Sequence, residues 1–180
     1  MPAATKSAFD VAFKFSDNAL DNNEYLQPQK LQRLMFLAQC AYAVRHRGRR
    51  LMPAVFVADE LGPIEPNIYL AFSKGRPDID VDPRLREDAQ AVLDDVWNRF
   101  GHCSTEHLTR ITKDTLAYRL ARQRANGAEI DLDMMRLSFD DADAMPAALP
   151  VTRPKIMRTQ TGRSVPVKAW TPAEKPISGN

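Results

Sequence analysis

His102, Cys103 and His107 lie close together and are the first residues here that could bind a metal or activate a nucleophile. A zinc site needs three or four ligands at suitable spacing. Two histidines five apart sit poorly on one helix face, no fourth ligand is evident, and nothing beside Cys103 orients a base for nucleophilic work. Capping and surface roles account for these side chains, so no metal or cofactor is implied. Asp78, Asp80 and Asp82 alternate along a loop and could hold a hard cation, but the glycine and terminal glutamate of a calcium loop are missing. Asp82 has a sufficient use as a helix cap. The run Arg45-His46-Arg47-Gly48-Arg49-Arg50 could contact phosphates, yet a helix C-terminus attracts such residues in any case. The acidic residues from Glu129 to Asp143 read as a solvated face, with a basic partner as the alternative. The sequence holds no phosphate-binding glycine loop, nucleophile elbow or zinc-protease motif, so no catalytic residue is assigned and an enzyme is not expected.

The elements that carry these residues are mostly helical. A helix is expected from Ser7 to about Leu20. Pro28 then opens the strongest helix of the chain, which runs to Arg47. In it Leu31, Leu34, Met35, Ala38 and Tyr42 form one stripe, and Leu37, Ala41 and Val44 a second beside it. Apolar nearly all round, this helix belongs at the centre. Gly48 is expected to end it in the left-handed conformation. Val55, Phe56 and Val57 favour a strand, broken at Gly62-Pro63, and Pro66 opens a short helix. Asp82 and Pro83 should start the amphipathic helix of Leu85, Ala89, Val92, Leu93, Val96 and Phe100. Ser104, Asp114 and Asp131 should cap three further helices. The fold expected is mainly α, a compact helical domain over residues 1–145 with a small β-strand or hairpin element.

Composition changes after Met145. Six of the 13 prolines fall in residues 146–180, and that segment carries six Lys or Arg against Glu174 alone. With a net charge of +2 for the whole chain, the tail is +5 and the body −3. Such a segment buries too little apolar surface to offset its ordering entropy and is expected to be disordered when free. Ile156, Met157, Val165, Val167 and Trp170 are unusual for an inert linker, and Trp170 is a candidate anchor on a partner. Cys40 and Cys103 are too few for a disulfide framework. With no secretory signal and no membrane span, the expected setting is cytoplasmic.

The order of motifs carries further information. LQPQKLQRLMFLAQCAYAVRHRGRRLM, with Lys30-Leu31 opening the helix and Gly48 following it, resembles the opening signature of the Panacea-domain antitoxins, also described as GepA-like or SocA-like. There the helix reads like KLQKLLYFAQ. A short strand follows, then an acidic or aromatic residue, Gly-Pro-Val, Pro and Tyr. The matching residues here are Glu60, Gly62-Pro63-Ile64, Pro66 and Tyr69. Phe100-Gly101, Ser104 and Leu108 fit the later pattern, so the resemblance covers about Phe9 to Phe139. The family often has Thr-His and then Pro-Trp where this chain has Thr112-Lys113 and Ala117-Tyr118. The resemblance implies an antitoxin that binds and neutralises a cognate protein toxin. In the SocA-like form it acts as an adaptor delivering the toxin to the ClpXP protease. Lys30, Glu60, Gly62, Pro63, Pro66 and Tyr69, together with Trp170 of the tail, are the partner-binding candidates. The alternative is a helical DNA-binding regulator of a phage-related or toxin–antitoxin operon.

Overall fold

The structure, a computed structural model, describes residues 2–79 and 84–139 and the backbone of two strands within 155–158 and 164–167. Its first helix, α1 (Ala8–Asp21), begins where the sequence offers a reciprocal cap. Ser7 Oγ accepts from the Phe9 amide at 3.1 Å, and the Ser7 amide donates to Asp10 Oδ2 at 2.9 Å. Both bonds satisfy donors that the first helical turn leaves orphaned. Ser7→Ala should therefore cost about 1 kcal/mol in a urea unfolding curve, while Ser7→Asp stays near wild type.

Helix α2 (Pro28–Arg45) is the centre of the molecule. Every residue from Leu31 to Ala43 is buried, and α2 packs against α1 and the later helices Pro66–Phe72, Glu87–Phe100, Thr105–Asp114 and Leu132–Leu137. A helix surrounded on all sides must be apolar on all sides, which is why its stripes merge. Gln32, Arg33 and Gln39 are its buried polar residues, and Gln39 Oε1 accepts from the Met52 amide at 3.2 Å. Cys40 is fully buried, and burial pushes its thiol far up, so it serves as a small hydrophobe. The end of α2 differs from expectation by one residue. Arg47, with φ of 54°, takes the left-handed position assigned above to Gly48, and the Gly48 amide donates to Ala43 O at 2.7 Å. That bond is the long one of a Schellman ending, which puts glycine in the second position beyond the cap.

After α2 the chain makes a hairpin of β1 (Val57–Asp59) and β2 (Gly62–Ile64), with Ala58 opposite Pro63 and Asp59 opposite Gly62. The strand starts at Val57, not Val55. Its other edge is covered by 127–130, where the Ala58 amide donates to Ala128 O and the Ile130 amide to Phe56 O. A proline is tolerated in β2 because its outer side meets side chains, not another strand. The short helix α3 (Pro66–Phe72) follows, capped by the buried Glu65, whose carboxylate accepts from the Ile68 amide at 2.6 Å.

Helix α4 (Glu87–Phe100) begins after Arg86, four residues later than the proline start expected; Asp80, Asp82 and Pro83 lie outside the described residues. Its stripe of Ala89, Val92, Leu93, Val96 and Phe100 is buried, and Gly101 ends it. Arg45–Asp95 at 2.7 Å and Tyr42 Oη to Asp88 at 2.8 Å tie it to α2. Helix α5 (Thr105–Asp114) is capped by Ser104, α6 (Leu116–Arg124) by Thr115, and α7 (Leu132–Leu137) by Asp131. Asp114 is thus the last residue of α5 rather than the cap of α6, because Thr115 Oγ1 is placed to accept from the Tyr118 amide. The fold is mainly helical, with seven helices and a small antiparallel hairpin in residues 2–139.

The chain divides into two units, 1–149 and 150–180. In the second, β3 (Lys155–Arg158) pairs antiparallel with β4 (Ser164–Val167), Ile156 opposite Pro166 and Met157 opposite Val165. These strands are the described part of the segment expected to be disordered. Trp170 and the remainder of the tail lie outside the described residues. No described helix is long and apolar enough to cross a membrane.

Candidate functional site

One charged residue sits where the apolar pattern of α2 should continue. Arg33, Phe36, Leu37, Cys40 and Ala41 follow i, i+3, i+4, i+7, i+8 spacing, and Arg33 is only 1% exposed. Its guanidinium spreads over the hairpin. Nη1 donates to Pro63 O at 2.7 Å, Nη2 donates to Leu61 O, and Nε donates to Thr109 Oγ1 of α5 at 3.2 Å. A planar fork of N–H donors suits two carbonyls at a fixed spacing; an ammonium would reach one at a time. Burial lowers the Arg33 pKa to about 10, against partial opposition from Tyr118, Asp59 and Tyr69. It therefore stays a cation at neutral pH. Among the described residues no carboxylate lies within ion-pair distance of it.

The rest of the turn is held in the same way. Tyr118 Oη of α6 donates to Asp59 O at 2.6 Å, and Lys113 Nζ of α5 donates to Glu60 O at 3.1 Å. Asp59 Oδ1 accepts from the Leu61 amide at 2.9 Å. Just beyond β2, Gln32 Oε1 accepts from the Glu65 amide at 2.7 Å. Carbonyls of residues 59, 60, 61 and 63 are thus all engaged by side chains from three different helices. Lys113 and Tyr118 stand at two of the three positions, with Ala117, where the chain departs from the Panacea-like pattern. Gly62 closes the arrangement. Its φ is +122°, and a Cβ there would lie 2.7 Å from Arg33 Cζ. Only glycine fits both the conformation and the approach.

Beside the tip of the hairpin is an open cleft of about 580 Å³, lined by Glu60, Lys113, Tyr118, Arg119, Arg122 and Gln123. Leu61, at the tip, is 48% exposed. A second basic cleft lies at the end of α2, lined by Arg45, His46, Arg47 and Arg49, with the His46 ring stacked on Tyr42 at 4.0 Å.

No family model, curated protein or solved structure matches this chain.

The site candidates from the sequence divide accordingly. Glu60, Gly62 and Pro63 meet on the hairpin around Arg33, with Tyr69 of α3 close enough to influence its charge. Pro66 is the exposed first residue of α3. Lys30 is directed elsewhere, its Nζ donating to Gly101 O at 2.5 Å and so serving the negative end of α4. Of the residues weighed for metal chemistry, Cys103 is buried and His107 Nδ1 meets Arg110 at 2.9 Å. Among the described residues there is no group of three or more His, Cys, Asp or Glu placed to hold a metal ion. Arg33, Lys113, Thr109 and Tyr118 were not among the candidates. Arg33 did leave a signal, a cation on an otherwise apolar stripe. Lys113 and Tyr118 left none, since their role depends on where α5 and α6 pack.

Proposed function

We propose that the chain is a protein-binding module of the antitoxin type, which neutralises a cognate toxin by docking it on the helical body. In the SocA-like form of this reading it also delivers the toxin to ClpXP. The observation that carries the reading is the hairpin 57–64, held by Arg33, Lys113 and Tyr118 while its tip exposes Glu60 and Leu61. A turn fixed before binding loses little entropy on binding, which is how a small loop can contribute useful affinity. The motif order that resembles the Panacea-domain antitoxins supports the same reading, because its Gly-Pro element is this hairpin. The test is co-expression with the neighbouring open reading frame and co-purification of the two products. Leu61→Asp should leave the melting temperature within about 2 °C of wild type, being a change at an exposed tip, yet weaken the complex about tenfold or more. An unchanged complex would remove the hairpin tip from the interface.

A DNA-binding regulator is the second reading, and the basic cleft of Arg45, His46, Arg47 and Arg49 favours it. Phosphate contacts release counterions, so binding of this kind weakens steeply with salt. A gel shift on the chain's own promoter at two salt concentrations decides between the readings. Sequence-specific retardation, lost in Arg47→Glu/Arg49→Glu, would establish the regulator.

A further inference from the structure

The cleft beside the hairpin combines features that the clamp does not explain. Arg119 is exposed, and no described acidic side chain lies within ion-pair distance of it. Arg122, one turn away on the cleft side, meets among the described residues the neutral Asn126 side chain. Lys113 gives one proton to Glu60 O and has others to offer. Behind the hairpin, Arg33 adds a buried cation balanced by carbonyls and a hydroxyl. Among the described residues the acid on the cleft wall is Glu60, and the carboxylate of the nearby Asp59 is engaged by the Leu61 amide. Positive potential therefore exceeds negative at this spot, although residues 1–145 as a whole are net acidic.

Apolar side chains are also exposed on the elements that form the cleft, close in sequence to residues of its lining. Leu61 is 48% exposed at the hairpin tip, and Leu116 and Leu120 are each 38% exposed. Leu116 and Leu120 stand one helical turn apart, on the stripe of α6 next to Arg119 and Gln123. A nucleic-acid backbone would use the cations and leave the leucines idle. A polypeptide carrying both acidic and apolar side chains would use both.

We infer that the cleft formed by the hairpin tip and α6 receives an acidic, leucine-bearing segment of a partner protein, with Arg119, Arg122 and Lys113 meeting its carboxylates and Leu61, Leu116 and Leu120 its apolar side chains. The inference deepens the protein-binding reading and rests on it. Carboxylates on guanidinium groups at the rim would set orientation and association rate, and the leucines would supply area removed from water.

A synthetic Glu-Glu-Leu repeat peptide is the probe, titrated into the isotope-labelled full chain and followed by amide chemical shifts. The amides of 59–61, Lys113 and 116–123 should shift, and the affinity should fall as salt rises. Arg119→Glu/Arg122→Glu should weaken binding about tenfold, each exposed attraction becoming a repulsion. Glu60→Gln removes the acid that lines the cleft among the described residues and should tighten binding about twofold, a gain that damaged folding cannot imitate. A Ser-Ser-Leu repeat should bind weakly, and oligothymidylate should not displace the acidic peptide. Shifts centred on Arg45–Arg49, unchanged affinity in the Arg119→Glu/Arg122→Glu variant, or displacement by oligothymidylate would overturn the assignment. With the neighbouring gene's product as ligand, a complex that survives charge reversal sinks this inference and leaves the protein-binding reading standing. A wild-type chain that forms no such complex sinks the reading, while the peptide titration still decides the cleft.

Discussion

Gly62→Ala should lower the unfolding free energy by roughly 3–4 kcal/mol, of which about 1–3 kcal/mol is backbone strain at positive φ and the remainder the collision with Arg33. The two parts can be separated. At φ of +122° any L residue is strained, whatever surrounds it. The collision exists only because the Arg33 guanidinium carbon would lie 2.7 Å from the new Cβ. Arg33→Ala alone should also be costly, about 3–5 kcal/mol, because it opens a cavity under the hairpin and leaves the Pro63 and Leu61 carbonyls without their donor. In the double variant the collision is gone and the strain remains. The costs should then fall short of additivity by about 1–2 kcal/mol, as expected for groups in contact. Urea unfolding of the four proteins measures this directly. Strict additivity would mean that Gly62 and Arg33 do not meet as described. Partner affinity should follow the folded fraction in Gly62→Ala. That result would mark Gly62 as a residue that builds the turn; its neighbours Glu60 and Leu61 would then be the residues that touch a partner.

The second large effect belongs to the centre of α2. Leu34→Asp should cost about 4 kcal/mol or more at neutral pH, enough to unfold much of a chain whose total stability is on the order of 5–15 kcal/mol. Leu34 is fully buried, and the residues around it are the apolar side chains of the core. The introduced carboxylate would have nothing to pair with, so its pKa in the folded state would rise above that in the unfolded chain. The sign of the pH dependence follows. The folded form then binds the proton more tightly, so the variant regains stability as the pH falls and loses it as the pH rises through the folded pKa. Leu34→Met, which keeps the volume, should cost less than about 1.5 kcal/mol. Circular dichroism melts of the two variants across pH check both statements. A Leu34→Asp protein that melts like wild type at neutral pH would remove α2 from the core.

Other consequences of this structure turn on single residues. Arg47 occupies a left-handed conformation that costs a residue with a Cβ about 1 kcal/mol. Its neighbour Gly48 also has positive φ, near Arg136 and Asp133 of α7. The strain is therefore borne by the arginine, in the basic cleft that motivates the DNA-binding reading. If that cleft has no ligand, Arg47→Gly should be stabilising or neutral and without functional effect.

The sequence by itself determined the helices and the caps that begin several of them. Ser7, Pro28, Ser104 and Asp131 act locally, through hydrogen bonds and φ preferences spanning three or four residues, and such signals are complete within a short window. It also determined the burial of α2, because a helix apolar on all sides has no other place to go. The start of α4 was not determined, since it begins after Arg86 with no side-chain cap to mark it, and neither was the cap of α6, since Asp114 and Thr115 offer competing caps of similar strength. The Gly62-Pro63 break was visible as a turn, but nothing local said what the turn rests on. Its support comes from Arg33, Lys113 and Tyr118, which lie 28 to 59 residues away along the chain from the carbonyls they hold. Only packing α5 against α2, and α6 against α5 and β1, brings those donors to the carbonyls of residues 59, 60, 61 and 63. The cleft beside the hairpin has the same origin. Glu60 meets Lys113, Arg119 and Arg122 across a gap that no periodicity encodes, and its charge balance exists only once α6 has docked.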